Sequence, residues 1–154
     1  MTVDWYLPLK LVHVLSAIVA VGTNVTYFVF LRAMPDRPQP EQSFILRTIS
    51  WLDSHLANPG YIVLPITGVA MVLVGDLGFT TFWIALAIGL YILVGVFAGV
   101  LFVPALRKLT AIVESEGPAA PGYAEAVRRT VSRGFLTMLP VAGILYLMVM
   151  QPTP

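Results

Sequence analysis

The sequence predicts an all-α fold, a bundle of four transmembrane helices in antiparallel up-down order with both termini outside the cytoplasm. Three observations carry that expectation. The 154 residues are 58% hydrophobic and only 11% charged, with a mean hydropathy of +0.85, whereas soluble domains carry roughly 25% charge. Four long apolar stretches follow one another, separated by turn-forming or polar segments. The cations cluster on alternate connections. Each stretch must cross as a helix, because a lone strand cannot satisfy its backbone in lipid and four segments cannot close a barrel. The length suits one domain over 1–154.

The first span is expected at about 5–31. It is apolar apart from Lys10, His13, Asn24 and scattered hydroxyls, and Trp5 and Tyr6 open it as interfacial aromatics. Its apolar run is longer than a signal core, and its one early cation, Lys10, lies inside the run, so it is read as a retained span. Pro35, Pro38 and Pro40 then make a stiff loop that no helix can continue through. From Glu41 to Leu56 the apolar residues Phe44, Ile45, Ile49, Leu52 and Leu56 recur at helical spacing, which predicts an amphipathic approach at the membrane surface. It enters the second span, about 57–74, at Asn58-Pro59. Gly75 to Gly78 form a tight turn. The third span is expected at about 82–106, continuing as a surface helix to Glu116. After a Gly-Pro linker, a polar helix start leads into the fourth span at about 135–150.

Charge sets the orientation. Arg32, Arg37 and Arg47 flank the first connection, and Arg107, Lys108, Arg128, Arg129 and Arg133 flank the third, leaving Lys10 as the only cation elsewhere. The positive-inside rule puts both connections in the cytoplasm. The net charge of +1 offers no field for nucleic acid. The absence of cysteine excludes disulfides, thiolate metal sites and cysteine nucleophiles. No zinc-protease helix motif, phosphate loop or nucleophile–base set is visible, so catalytic residues are not assigned. Every acidic residue reads as lying at or beyond a span end, which argues against a proton-coupled transporter.

Small residues suggest where helices meet. Gly95 and Gly99 are spaced as GxxxG, and Ala85 and Gly89 repeat the small-xxx-small pattern. The expected use is packing within the bundle; the alternative is an interface with another subunit. Pro65 and Pro140 lie inside spans, and each frees a carbonyl one turn earlier. The Thr67 and Thr137 hydroxyls are expected to help satisfy those groups.

His13 is the principal site candidate. It lies about 12 Å in from the end of its span at 1.5 Å per residue, on the face that carries Lys10. A neutral imidazole there either ligates haem iron or copper, relays a proton, or hydrogen-bonds a neighbouring helix. His55 lies near the other face, about 18 Å away in depth, so the two cannot ligate one haem. Met71, Met148 and Met150 collect at the same end as His13, and thioethers with an imidazole suit Cu(I).

The first span, YLPLKLVHVLSAIVAVGTNVTYFVFLRAM, resembles the opening helix of the HemJ-type protoporphyrinogen oxidases and of the copper-resistance D-type membrane proteins. NPGYIVLPITGVAMVL is similar to their second span, with Pro59 and Gly68 at matching places, and ILYLMVMQP fits their ending. Over nearly the whole chain the span pattern resembles a bacterial group of predicted integral membrane proteins, the domain-of-unknown-function family 2269. The HemJ resemblance implies haem b ligation by His13. It also implies a Lys in the third span, where FWIALAIG has none, and that departure argues against protoporphyrinogen oxidation. The expectation is therefore a non-enzymatic protein, or one of unassigned activity, in the bacterial cytoplasmic membrane, serving as an accessory subunit of a larger complex or as a homo-oligomer. The alternatives are a haem-b redox protein and a copper-handling protein.

Overall fold

The computed structural model describes residues 4–153. Six helices follow in order: α1 Tyr6–Ala33, α2 Gln39–Leu52, α3 Asn58–Val74, α4 Phe82–Phe97, α5 Val103–Ser115 and α6 Tyr123–Met150. A π-helical turn at Asp53–Ala57 joins α2 to α3 without a break, and another at Ala98–Phe102 joins α4 to α5. The chain therefore forms four rods, each long and apolar enough to cross a membrane. The joined rods, Gln39–Val74 and Phe82–Ser115, contain 36 and 34 residues. At 1.5 Å per residue each is roughly 50 Å long, against roughly 30 Å of hydrocarbon. They project beyond the lipid.

Packing shows at which end they project. A buried core of Leu31, Met34, Leu46, Ile49, Leu109 and Val113 lies at the arginine-rich end, where α2, α5 and the start of α6 gather around the end of α1. Buried Gln42 ties this end together. Its side-chain amide donates to the Arg37 carbonyl at 2.8 Å, and its carbonyl accepts from the Tyr123 hydroxyl at 2.9 Å. Gln39 donates to the Val113 carbonyl at 2.8 Å. Beside it Gly117 takes φ +80°, a conformation in which a side chain would be strained. Along the rest of the rods Ile18, Ile62, Ile66, Ile92, Leu139 and Val149 face outward. Water rewards apolar burial and lipid does not. A sealed core at one end and outward aliphatics along the remainder are what one chain in two solvents should show.

The amphipathic segment after the proline loop packs against protein and runs on without a break into α3. α2 buries Gln42, Leu46 and Ile49 while Phe44 faces out, because α5 and α6 offer it a protein surface.

Close helix approach occurs at other glycines than those expected. A Cβ added at Gly60 would lie 3.1 Å from the Ala20 Cβ and 3.2 Å from the Ser16 carbonyl; at Gly68, 3.3 Å from the His13 ring; at Gly75, 2.9 Å from the Tyr6 ring. Positions thus fall along α1 as they rise along α3. In the same way Gly134 meets Phe102 of the third rod and Phe28 of α1, and Gly143 meets Leu90 of the third rod. Ala85 and Gly89 are exposed, and added Cβ atoms at Gly89, Gly95 and Gly99 would meet nothing within 4 Å. α4 buries Ile84, Ala87 and Val94 instead, and at 100° per residue Ala85 and Gly89 fall away from that face. Within the chain, the close contact expected at Gly95 and Gly99 is absent.

Candidate functional site

Two cavities lie between the rods, and Tyr91 lines both. The first, about 300 Å³, is at the end that carries the chain termini. It gathers Lys10, His13, Met71 and Met148 on one wall system with Tyr6 and Trp83. Four of the residues singled out for ligand chemistry therefore share one cavity. Met150 is exposed and off its wall.

His13 is held by α3. Its Nδ1 lies 2.9 Å from the Thr67 Oγ1. That hydroxyl sits 2.8 Å from the Val63 carbonyl and 3.1 Å from the Leu64 carbonyl, to which it donates. A hydroxyl has one proton to give, so Thr67 accepts at His13, and the ring proton is assigned to Nδ1. The Nε2 then carries the lone pair, with no hydrogen-bond partner among the described residues. Gly68 makes the geometry feasible, since the ring packs where a larger residue would put its Cβ. Thr67 was expected to compensate Pro65, but its role is to orient His13. Thr137 likewise bonds the Arg133 carbonyl at 2.9 Å, one full turn back along its own helix.

The group that compensates Pro65 is Tyr91. Proline at 65 leaves the Tyr61 carbonyl without its helical donor, and the Tyr91 hydroxyl donates to that oxygen at 2.5 Å.

The second cavity, about 320 Å³, lies toward the arginine-rich end. Both π-helical turns border it, through Asp53 on one side and Ala98, Gly99 and Phe102 on the other. Asp53 accepts from the Tyr27 hydroxyl at 3.4 Å and from the Asn58 amide at 3.3 Å. Asn24 donates to the Tyr61 hydroxyl. Asp53 was read from sequence as lying outside the spans; the structure puts it on a cavity wall. The available signal was Asn24 and Tyr27, three residues apart on one face of an apolar helix. His55 is exposed, stacked on Trp51 with ring centroids 4.6 Å apart, and outside both cavities.

Residues 7–152 match the family described as predicted integral membrane protein (DUF2269). The chain belongs to this family. With four rods of spanning length, it is a multi-pass integral membrane protein embedded in a lipid bilayer. No curated protein and no solved structure matches it. The cavities of this DUF2269 chain therefore have to be read from their own chemistry. Among its described residues, no group of three or more His, Cys, Asp or Glu could hold a metal ion.

Proposed function

We propose that this protein is a membrane redox protein that holds haem b in the cavity at its terminal end, where His13 would be the residue that binds it. The observation that carries the reading is the Nδ1 bond to Thr67. With the ring proton assigned to Nδ1, Nε2 is left free to ligate, the second-sphere arrangement that histidine ligands ordinarily have. With one imidazole and no carboxylate or thiolate cluster, the site suits a metal that brings most of its own donors, as a porphyrin-bound iron does. The cavity walls carry groups that suit parts of such a ligand. Tyr6, Trp83 and aliphatic side chains offer apolar walls, and Lys10 offers a cation for a propionate. When bound, haem iron would supply one-electron exchange. The chain's own part is to orient the imidazole, neutralise a carboxylate and exclude water.

The arginine-rich end, with its sealed core, belongs in the cytoplasm by the positive-inside rule. The rods then run antiparallel, with both termini outside a bacterial cytoplasmic membrane.

The test is a haem titration of the purified protein in detergent. A saturable Soret shift in wild type, lost in His13→Ala, is expected. A wild-type protein that gives no shift overturns the reading. The Met71 and Met148 thioethers favour a second reading, Cu(I) held with His13; stoichiometric copper in a protein that refuses haem would favour it. The exposed Ala85–Gly89 face would serve an accessory-subunit role, which co-purification of a partner lost in Gly89→Leu would support.

A further inference from the structure

We propose that the second cavity binds a small organic ammonium cation, primary or quaternary, between the Asp53 carboxylate and an aromatic wall. Asp53 is the one charged residue that lines this cavity. Its two observed partners, Tyr27 and Asn58, both donate to it, which is the environment of an acceptor. Around it stand the rings of Tyr27, Tyr61, Tyr91, Phe28 and Phe102. A carboxylate beside several aromatic faces is how proteins hold ammonium groups, the charge answering the cation and the ring quadrupoles answering its methyl or methylene surface.

The aromatic wall is fixed rather than incidental. Phe28 meets Phe135 edge-on, with centroids 6.5 Å apart. Gly134 lets both Phe28 and Phe102 close in on α6, since an added Cβ would lie 3.4 and 3.2 Å from their rings. Tyr91 is anchored on the Tyr61 carbonyl. The opposite wall is kept clear by Gly95, Ala98 and Gly99, where added Cβ atoms at the two glycines meet nothing within 4 Å. The small residues that promised helix contact make room instead. The two π-helical turns, a feature that gathers at functional sites, place Asp53 and the Ala98–Gly99 pair on this one space. The volume of about 320 Å³ suits a small ligand. None of this depends on what His13 binds.

The cation could come free from solution or as the headgroup of an ethanolamine or choline lipid, and the test separates these sources. The protein is placed in nanodiscs of phosphatidylglycerol alone and titrated with benzyltrimethylammonium by calorimetry. Saturable one-to-one binding is expected. Asp53→Asn, which keeps the shape and removes the charge, should weaken it about tenfold or more, the loss of one close charge contact. Gly99→Leu should abolish it by filling the space, while Gly89→Leu, on the same rod but off the cavity, should leave it unchanged. Melting of each variant checks that it is folded. Phosphatidylethanolamine added to the disc should compete if the headgroup is the natural occupant and be silent if a free cation is. Absence of saturable binding at millimolar probe, or equal affinity in wild type and Asp53→Asn, overturns the proposal. If Asp53→Asn does not fold, undiminished binding in Gly99→Leu overturns it alone.

Discussion

Tyr91→Phe removes one oxygen, and the structure says what that oxygen is for. The hydroxyl donates to the Tyr61 carbonyl at 2.5 Å. That carbonyl has no helical donor because residue 65 is proline. An unsatisfied buried polar group costs about 1–3 kcal/mol, while polar contacts in membrane bundles average about 0.6 kcal/mol and reach about 1.7. A loss of about 1 kcal/mol is expected, since the carbonyl borders a cavity rather than packed hydrocarbon. The decisive measurement is a double-mutant cycle with Pro65→Ala. Alanine returns an N–H to the ladder and satisfies the Tyr61 carbonyl from within α3. In that background Tyr91→Phe should cost about a quarter as much or less, giving a coupling energy near 1 kcal/mol, of the size seen for contacting pairs. Reversible unfolding of the four proteins in mixed detergent micelles, titrated with a denaturing detergent, supplies the numbers. Equal cost of Tyr91→Phe in both backgrounds would refute the argument that the hydroxyl stands in for the donor proline lacks.

Thr67→Val keeps the shape but leaves the His13 Nδ1–H without its acceptor; haem affinity, if haem is the ligand, should fall about 10- to 100-fold, read from the same Soret titration. Gly60→Val places side-chain atoms against the Ser16 carbonyl and Ala20, 3.2 and 3.1 Å from the nearest new atom, and should destabilise by about 1–3 kcal/mol by forcing α1 from α3, measured by the same micelle titration. Gly95→Leu should by contrast leave the unfolding midpoint close to wild type, since its Cβ meets no neighbour. Gln42→Leu strips a buried amide that serves the Arg37 carbonyl and the Tyr123 hydroxyl; a loss of about 2 kcal/mol and faster proteolysis of the loop at 34–38 are expected.

The rods were legible because hydropathy and turn residues act locally. A run such as Phe82 to Leu106 announces its helix without knowledge of its neighbours, and Pro35 and Pro38 announce its absence, while Pro40 falls in the first turn of α2, where proline is tolerated. His13 stood out for the same reason, being with Lys10 one of two ionisable groups early in an apolar run. What sequence could not supply was the meaning of small residues. Gly60 and Gly95 look alike in the chain, yet one lies against the Ser16 carbonyl and the other borders open space. Both allow a neighbour to come near. Whether a helix or a void is there depends on residues far away, Phe102 and Gly134 among them. The surroundings of Asp53 were hidden for a related reason. Its segment reads as amphipathic and interfacial, and only the unbroken path through the π-helical turn into α3 turns its carboxylate toward Tyr27.

The same reasoning explains why the two cavities are distinct. Pro65 removes a donor from α3, the freed Tyr61 carbonyl draws the Tyr91 hydroxyl from α4, and the Tyr91 ring thereby becomes a wall of both spaces. Asn24 on α1 reaches the Tyr61 hydroxyl from the other side. Three of the four rods thus meet at one residue pair whose geometry originates in a missing N–H. Pro65 itself lines the terminal-end cavity but not the second, so a change that Pro65→Ala brings to binding in the second cavity would come through the shared wall.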